Sequence, residues 1–321
     1  MSSTRALPAL IAVIGIAALA GCSADAPTAG GDAGIRIVAS TDVYGDIAQT
    51  VAGDTAEVTS IIRDSSQDPH EYEATPRDAL ALADADLVVL NGGGYDEFMN
   101  TLLDAHGHEV PVIDAVALSG LAPEGHEGQG GDAEDGDAED DHAHRHGEIN
   151  EHVWYSLDAV EALAHELAHE LGELAPADAA TFSANADALA DELDRLRDRA
   201  ADIAAAHPGA TAAITEPVPL YLLELAGVRN VTPDEFSEAV EEGTDAPVLV
   251  LQRMLGLVSD GTAELLAYNA QTVGPQTEQV LHAAQDAGTP VASFSELLPE
   301  GEHYATWMAA NLDAIEAALA G

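Results

Sequence analysis

The chain has 321 residues and a formal net charge of -48, because 10 basic residues, all arginine, face 58 acidic ones. Such a charge repels nucleic-acid phosphates and anionic lipid headgroups, which excludes both as electrostatic partners. The length suits two α/β lobes with large buried cores, and the single cysteine excludes an internal disulfide.

The N-terminus has the pattern of a bacterial lipoprotein signal. Arg5 is followed by an uncharged stretch over residues 6–20 and then by "LAGC", which ends at Cys22. The apolar run is about 15 residues, shorter than the ~20 that a spanning helix needs, so cleavage is favoured over a transmembrane anchor. We expect residues 1–21 to be a signal peptide, and Cys22 to be lipidated and to hold the protein on the outer face of the cell membrane.

Strand-like and helix-like segments alternate after a short tether. Residues 22–34 are small and polar, which indicates a flexible linker. From Ile35 the chain reads "IRIVAS" as strand, "VYGDIAQTVAG" as helix, "EVTSII" as strand, "PRDALALADA" as helix and "DLVVLNGG" as strand. This alternation predicts an α/β lobe over residues 35–175 with a mostly parallel sheet flanked by helices, and with ligands beyond the carboxyl ends of the strands.

An acidic, histidine-rich insertion interrupts this lobe. Over residues 120–151 the hydrophobic pattern vanishes, and Gly, Asp, Glu and His dominate, which predicts disorder. Its imidazoles would bind metal weakly and exchange it quickly, raising the local metal concentration. A solvated spacer is the alternative interpretation. The four histidines are His126, His142, His144 and His146.

A long helix is predicted next, at about residues 176–207. At about 1.5 Å per residue it spans roughly 45 Å, enough to join two lobes as a rigid link that limits hinge motion. Residues 208–321 then repeat the alternation, with strands at "ATAAIT", "AELLAYN" and "PVASF", and form a second α/β lobe. One apolar stripe runs along the linking helix: Phe182, Ala186, Leu189, Leu193, Leu196, Ala200 and Ile203.

The stretch "HELAH" formally matches a zinc-peptidase motif. His165 and His169 lie one helical turn apart, and the pattern continues to Gly172. The third ligand position of the extended motif is Ala175, however, and helical geometry turns both histidines away from the apolar stripe of their helix. A zinc metallopeptidase is therefore an alternative that the pattern disfavours, and we expect no enzyme.

Two other histidines suit ligands near strand ends. His70 follows Pro69 in "SSQDPHEYEATP", and Pro69 forces an extended backbone that places the imidazole just after a strand. His152 in "NEHVWYSLDAV" comes immediately before a helix and beside Trp154. Either histidine alone is more often a hydrogen-bonded structural residue.

Taken together, these contexts resemble the cluster A-I substrate-binding proteins of zinc and manganese ABC transporters. The resemblance covers nearly the whole mature chain, through "IRIVASTDVYGDIAQTVAGDTAEVTSII", "DPHEYEATPRD", "ADADLVVLNG", "HVW" and "HYATWMAANLDAI". It implies two α/β lobes, each with a mostly parallel sheet flanked by helices and joined by one long rigid helix. It also implies a buried metal site between them and an ABC permease as partner.

The resemblance further implies a ligand set. The first two family ligands are histidines and map onto His70 and His152. The third, usually histidine in zinc proteins and often glutamate in manganese proteins, maps onto Glu216 in "ITEPVPLYLL". The fourth, commonly aspartate, maps onto Glu296 in "VASFSELLPEG".

Two imidazoles and two carboxylates form a charge-neutral set for a divalent cation. Nitrogen ligands select transition metals over calcium or magnesium, and a site closed by four protein ligands leaves no open position for an activating water. We therefore expect reversible metal capture, with Zn2+ favoured by the insertion's histidines and Mn2+ allowed by Glu216. A surface metal buffer without a transporter is the remaining alternative within the binding class.

Overall fold

The computed structural model describes residues 34–106, 109–121 and 149–321. The predicted signal peptide, nearly all of the tether with Cys22, and the insertion's His126, His142, His144 and His146 lie outside these residues. From Gly34 to Gly321 the chain is one compact unit. Within the described part, none of the helices combines the length and apolarity needed to cross a membrane.

The first lobe is built on a four-stranded parallel sheet. Its strand order is β2-β1-β3-β4, so the chain places its second strand at one edge and then crosses to the other side of β1. All four residues of β3 are buried, as a parallel strand covered on both faces requires. The elements are β1 (Ile35–Thr41), α1 (Asp42–Ala52), β2 (Ala56–Ile62), α2 (Pro76–Ala83), β3 (Leu87–Leu90), α3 (Glu97–His106), β4 (Val112–Asp114) and α4 (Ala115–Ser119).

The second lobe repeats this topology. Its sheet has the order β6-β5-β7-β8, again parallel throughout and again with the second strand at the edge. The two-lobed α/β class expected from the sequence is therefore confirmed. The elements are β5 (Thr211–Ile214), α7 (Leu220–Leu225), β6 (Arg229–Asn230), α8 (Asp234–Glu241), α9 (Val248–Ser259), β7 (Leu265–Asn269), α10 (Pro275–Ala287), β8 (Val291–Phe294) and α11 (Tyr304–Ala320).

One long helix, α6 (Ala179–Ala206), connects the lobes, and the helix before it, α5 (Leu157–Leu174), packs within the first lobe. All seven stripe residues predicted for α6 are buried. The helix α6 packs against α1 and α5 of the first lobe and against α7 and α11 of the second lobe. At about 1.5 Å per residue it is about 42 Å long, so a single rigid element contacts both lobes.

The hydrophobic core follows from the alternation of side chains along the strands. Ile37 of β1 and Ile214 of β5 face one central core that both lobes share with α1, α5, α6 and α11. Val38 and Ala213, their neighbours, face two smaller outer cores, one in each lobe. Each sheet is thus buried on both faces, and the lobes meet through apolar packing.

The described chain resumes at Ile149, which corrects the boundary drawn for the insertion. Asn150 and Glu151 were assigned to the disordered segment, yet Glu151 is only 5% exposed. Asn91 Nδ2 donates to the Glu151 carbonyl oxygen at 3.0 Å and ties this segment to the end of β3. Because Glu151 resembles the acidic residues of the insertion in composition, the sequence does not indicate that packing has already begun again at this residue.

Candidate metal centre

The four candidate ligands line one small cavity between the two sheets. Glu216 and Glu296 come shortly after β5 and β8, at the carboxyl ends of the second sheet, and His152 precedes the 3-10 turn at Val153–Tyr155. The cavity has a volume of about 10 Å³, the space of one water-sized sphere. The structure therefore brings together His70, His152, Glu216 and Glu296, alongside Asp68, Glu241 and Thr272.

His70 reaches the cavity from a loop, which corrects the expected position just after a strand. The chain leaves β2 at Ile62 and first makes a turn in which Asp64 Oδ1 accepts hydrogen bonds from the Ser66 amide and hydroxyl. The His70 amide then donates to Asp68 Oδ1 at 2.9 Å. Local polar side chains thus shape this segment into turns that bring His70 to the cavity.

The tautomer of His152 is set by Asn150. Asn150 Oδ1 accepts the backbone N–H of His152 at 3.2 Å, and Asn150 Nδ2 donates to the Pro217 carbonyl oxygen at 3.1 Å, which fixes the amide orientation. The ring Nδ1, 2.7 Å from Asn150 Oδ1, must therefore carry the proton. Nε2 is left with its lone pair. Burial, together with His70, lowers the pKa of His152 well below its usual value, so this imidazole is neutral.

One amide bridges the two carboxylates of the second lobe. Asn269, at the end of β7, donates from Nδ2 to Glu216 Oε2 and, at 2.8 Å, to Glu296 Oε1. The hydroxyl of Tyr95, from the first lobe, lies 3.3 Å from Glu296 Oε2. Burial, and then the neighbouring Glu296, raise the pKa of Glu216 to about 8, and burial raises that of Glu296 to about 7. A cation bound between these carboxylates would stabilise their ionised forms and so lower both raised pKa values.

Sequence reasoning missed two further acidic residues at this centre, Glu151 and Glu241. Glu241 ends α8, and its Oε1 lies 3.8 Å from His152 Nε2. Burial, and then the charge of Glu151, raise the pKa of Glu241 to about 10. The segment "PDEFSEAVEEG" has the composition of a solvated acidic helix, so only the proximity of its last helical residue to His152 reveals the role of Glu241.

Two sets of potential ligand atoms are close enough to hold an ion. One is His70, His152 and Glu296; the other is His70, Glu151 and Glu241, and within each set the ligand atoms lie within 4.8 Å of one another. Glu216 lines the cavity but belongs to neither set. Ligand atoms about 2.1 Å from a common ion are at most about 4.2 Å apart, so each set needs only a small contraction.

Aromatic rings enclose the imidazoles. The ring centroids of Tyr95 and His70 are 4.9 Å apart, and those of Trp154 and His152 are 5.1 Å apart. Tyr95 and Trp154 also pack against each other, with centroids at 4.7 Å. This wall lies on the first-lobe side of the imidazoles, of which His152 is buried and His70 is partly buried.

The "HELAH" histidines lie elsewhere. His165 and His169 project from the exposed side of α5, as helical geometry predicted. Neither belongs to a metal-capable set within the described residues. The two histidines of this stretch therefore belong to the solvent-exposed side of α5.

Comparison with known proteins places the chain in a family of metal-uptake components. The profile described as "Zinc-uptake complex component A periplasmic" matches residues 37–318, and the chain belongs to that family. The manganese-binding lipoprotein MntA of Halalkalibacterium halodurans is 39% identical over 123 residues, a stretch that covers 36% of this chain and 40% of MntA. The chain thus matches less than half the length of this curated relative.

Solved structures share the whole fold. FpvC of Pseudomonas aeruginosa, in complex with Ni2+, is 24% identical with a TM-score of 0.68, covering 89% of this chain and 97% of FpvC. A zinc-bound ZnuA with residues 138–173 deleted is 21% identical with a TM-score of 0.69, covering 89% of this chain and 98% of that one. These similarities concern the fold.

Proposed function

We propose that the protein captures a divalent first-row transition-metal ion between its lobes and delivers it to the permease of an ABC importer. The observation that carries this proposal is the convergence of His70, His152, Glu216 and Glu296 on a cavity of about 10 Å³. Membership of a family of metal-uptake components supports it.

The chemistry of the side chains suits such an ion. The proton of His152 faces Asn150, so the Nε2 lone pair is available to a metal. Two imidazole ligands and two carboxylate ligands together balance a divalent charge. Imidazole nitrogen discriminates against calcium and magnesium, which prefer oxygen alone.

The four candidate ligands are better suited to binding a metal ion than to catalysis. Four protein ligands saturate a tetrahedral ion and leave no position at which water could be activated. The enclosing rings of Tyr95 and Trp154 leave no room for an organic substrate beside the ion. We therefore propose a transport receptor and no enzymatic step.

Zinc is the metal we propose, with manganese as the second candidate. The order of affinities along the transition series and the imidazoles of His126, His142, His144 and His146 favour zinc. Glu216 in place of a third histidine, and relatives named for manganese, favour the alternative. The discriminating feature is how many oxygen atoms Glu216 and Glu296 contribute, because manganese accepts a higher coordination number than zinc.

The test is metal analysis followed by competition between Zn2+ and Mn2+ on the mature chain near neutral pH. One tightly held equivalent that disappears in His70→Ala and in His152→Ala is expected. The matched control is His165→Ala, which removes an exposed imidazole of α5 and should leave the equivalent in place. Retention of tight binding in a His70→Ala/His152→Ala double variant would overturn the proposed site.

The same competition identifies the cargo. Zinc that manganese cannot displace would establish a zinc receptor. Manganese held in the main site, with zinc lost on deletion of residues 125–147, would establish a manganese receptor and make the insertion a side reservoir. Unchanged metal uptake under scarcity after that deletion would instead make the insertion a spacer.

We also propose the lipid anchor at Cys22, after cleavage of residues 1–21 and with residues 22–34 as a tether. The "LAGC" pattern supports it, as do relatives that are named lipoproteins. Cys22→Ser should move the protein from the membrane fraction to the soluble fraction. Unchanged partitioning of that variant would overturn the anchor without affecting the metal site.

A further inference from the structure

The two potential ligand sets share a single residue, His70. The inner set adds His152 and Glu296, and the outer set adds Glu151 and Glu241. Among the described residues, no group of mutually close ligand atoms unites Glu241 with Glu296. The outer set is therefore a separate position beside the inner one.

The outer set borders a larger pocket that reaches the surface. This pocket has a volume of about 280 Å³ and includes Glu151 and Glu241 in its wall, while Glu241 also lines the inner cavity. Its described lining residues include no arginine or histidine. Its rim adds three exposed carboxylates, from Asp234, Glu238 and Glu242.

Two buried polar atoms face each other where the pocket meets the cavity. Oε1 of Glu241 is buried, and within the described part of the chain no donor hydrogen-bonds to it. Nε2 of His152, whose side chain is 98% buried, faces it at 3.8 Å, beyond hydrogen-bonding distance. Because His152 is protonated on Nδ1, its Nε2 directs a lone pair towards this oxygen of Glu241. A positive ion beside the two atoms would stabilise both of them.

We propose that His70, Glu151 and Glu241 form an outer position for the same divalent cation, through which the ion passes between the acidic pocket and the inner site. This inference rests on the proposed metal capture and adds the route by which the ion enters and leaves. His70 contacts the ion in both positions, so the transfer exchanges His152 and the second-lobe carboxylates for Glu151 and Glu241. The shared imidazole and the mutual repulsion of two close cations make the two positions alternatives.

The experiment isolates the outer position by disabling the inner one. The full mature chain is used with His126, His142, His144 and His146 replaced by Asn, so that the insertion contributes no imidazole. Co2+ is the probe, and its binding is followed by equilibrium dialysis and X-ray absorption. The protein with these four substitutions is the background for all later variants, and it should bind one equivalent of Co2+ through two imidazoles. Adding His152→Asn and Glu296→Gln should weaken binding by about 100-fold or more while leaving one equivalent on a single imidazole.

Glu241→Gln is then added to this inner-site variant and should abolish the remaining equivalent. Its matched control is Glu235→Gln, which removes an exposed carboxylate of the same helix outside the pocket lining and should preserve that equivalent. Loss of all binding in the inner-site variant, with cooperative unfolding intact, would overturn the outer position. Equal binding with and without Glu241→Gln would also overturn it. A background protein that binds no metal would overturn the proposed function and this inference together.

A second measurement does not need the inner-site variant to fold. In the otherwise intact background, Glu241→Gln should keep one tight equivalent but slow its chelator-driven release by about tenfold, because the transfer position loses a charge. Faster release with weaker affinity would make Glu241 an inner ligand, and an unchanged rate would remove it from the route. Either result would overturn the proposal.

Discussion

Asn150 Oδ1 lies 2.7 Å from His152 Nδ1, and the same amide reaches the carbonyl oxygen of Pro217, the residue after Glu216. One side chain thus orients a candidate ligand of the first lobe and touches the backbone beside a candidate ligand of the second. Asn150 belongs to the segment that sequence composition assigned to the insertion.

Replacing Asn150 should weaken metal binding without removing a ligand. We expect Asn150→Leu to lower the affinity by about 10- to 100-fold, because the imidazole of His152 loses the acceptor that fixes its tautomer. Asn150→Asp keeps an acceptor for Nδ1 but loses the donor to Pro217, so its effect should be smaller. Calorimetric titration of both variants checks this order, and equal losses would contradict it.

Stability of the metal-free protein should fall as the pH rises. The pKa values of Glu216 and Glu296 are about 8 and about 7 in the folded chain, against an ordinary value of 4.5. Above pH 4.5 the unfolded chain ionises while the folded carboxyls keep their protons. The contribution of these two groups to the free energy of unfolding therefore decreases until the pH passes about 8, by about 5 kcal/mol for Glu216 and about 3 kcal/mol for Glu296.

Chemical denaturation at pH 5 and pH 8, with a chelator present, measures this decrease. Glu296→Gln should reduce it, because the amide cannot ionise. The control Glu238→Gln, at an exposed position, should leave it as in the unsubstituted protein. A Glu296→Gln protein with an unchanged difference between the two pH values would be inconsistent with the raised pKa of Glu296.

The opposite pH dependence is expected at the start of α11. His303 Nδ1 lies 2.7 Å from Asp46 Oδ1 of α1, and this hydrogen bond, followed by the charge of Asp46, raises the pKa of His303. Its stabilising contribution is full below the ordinary pKa of 6.5 and is lost as the pH rises through the raised value. His303→Gln should therefore destabilise the protein at pH 5.5 and have little effect at pH 9.

Because the His303 side chain is 79% exposed, solvent screening keeps this contribution small. Thermal unfolding at the two pH values is sensitive enough to detect it. His282→Gln, at another exposed histidine, is the control for a general effect of removing an imidazole. An equal effect of His303→Gln at both pH values would exclude the ion pair as its cause.

The shared helix α6 should couple the two lobes in unfolding. Leu193, fully buried in its middle, belongs to the central core of both lobes. Leu193→Ala should lower the free energy of unfolding by about 2 to 5 kcal/mol and keep a single transition. The control Asp191→Ala changes an exposed residue of the same helix. Two separate transitions in the Leu193→Ala protein would show that the lobes unfold independently.

Features that depend on local periodicity could be predicted from the sequence. The buried stripe of α6 follows from side chains that recur every three or four residues, and the parallel sheets follow from alternating strand and helix patterns. His70 and His152 had distinctive neighbours in Pro69 and Trp154. Glu216 and Glu296 were selected through resemblance, since an acidic residue after a strand carries no signal of its own.

The remaining parts of the site depend on contacts between segments far apart in the chain. Glu241 lies 3.8 Å from His152 although the two residues are far apart in the chain. Asn269 likewise bonds to Glu216 and Glu296, which are distant from it in sequence. Asn and Glu are common on surfaces. Only their positions in space distinguish these residues from the many other acidic and amide side chains.

The amide of Asn269 has a consequence for binding kinetics. Its N–H groups already hold Glu216 and Glu296 together, and Asn150 already orients His152, before any ion arrives. The conformational entropy lost by these side chains is therefore part of the free energy of folding and does not reduce the affinity for the cargo. Preorganisation of this kind lets an ion dissociate without the surrounding side chains losing their order.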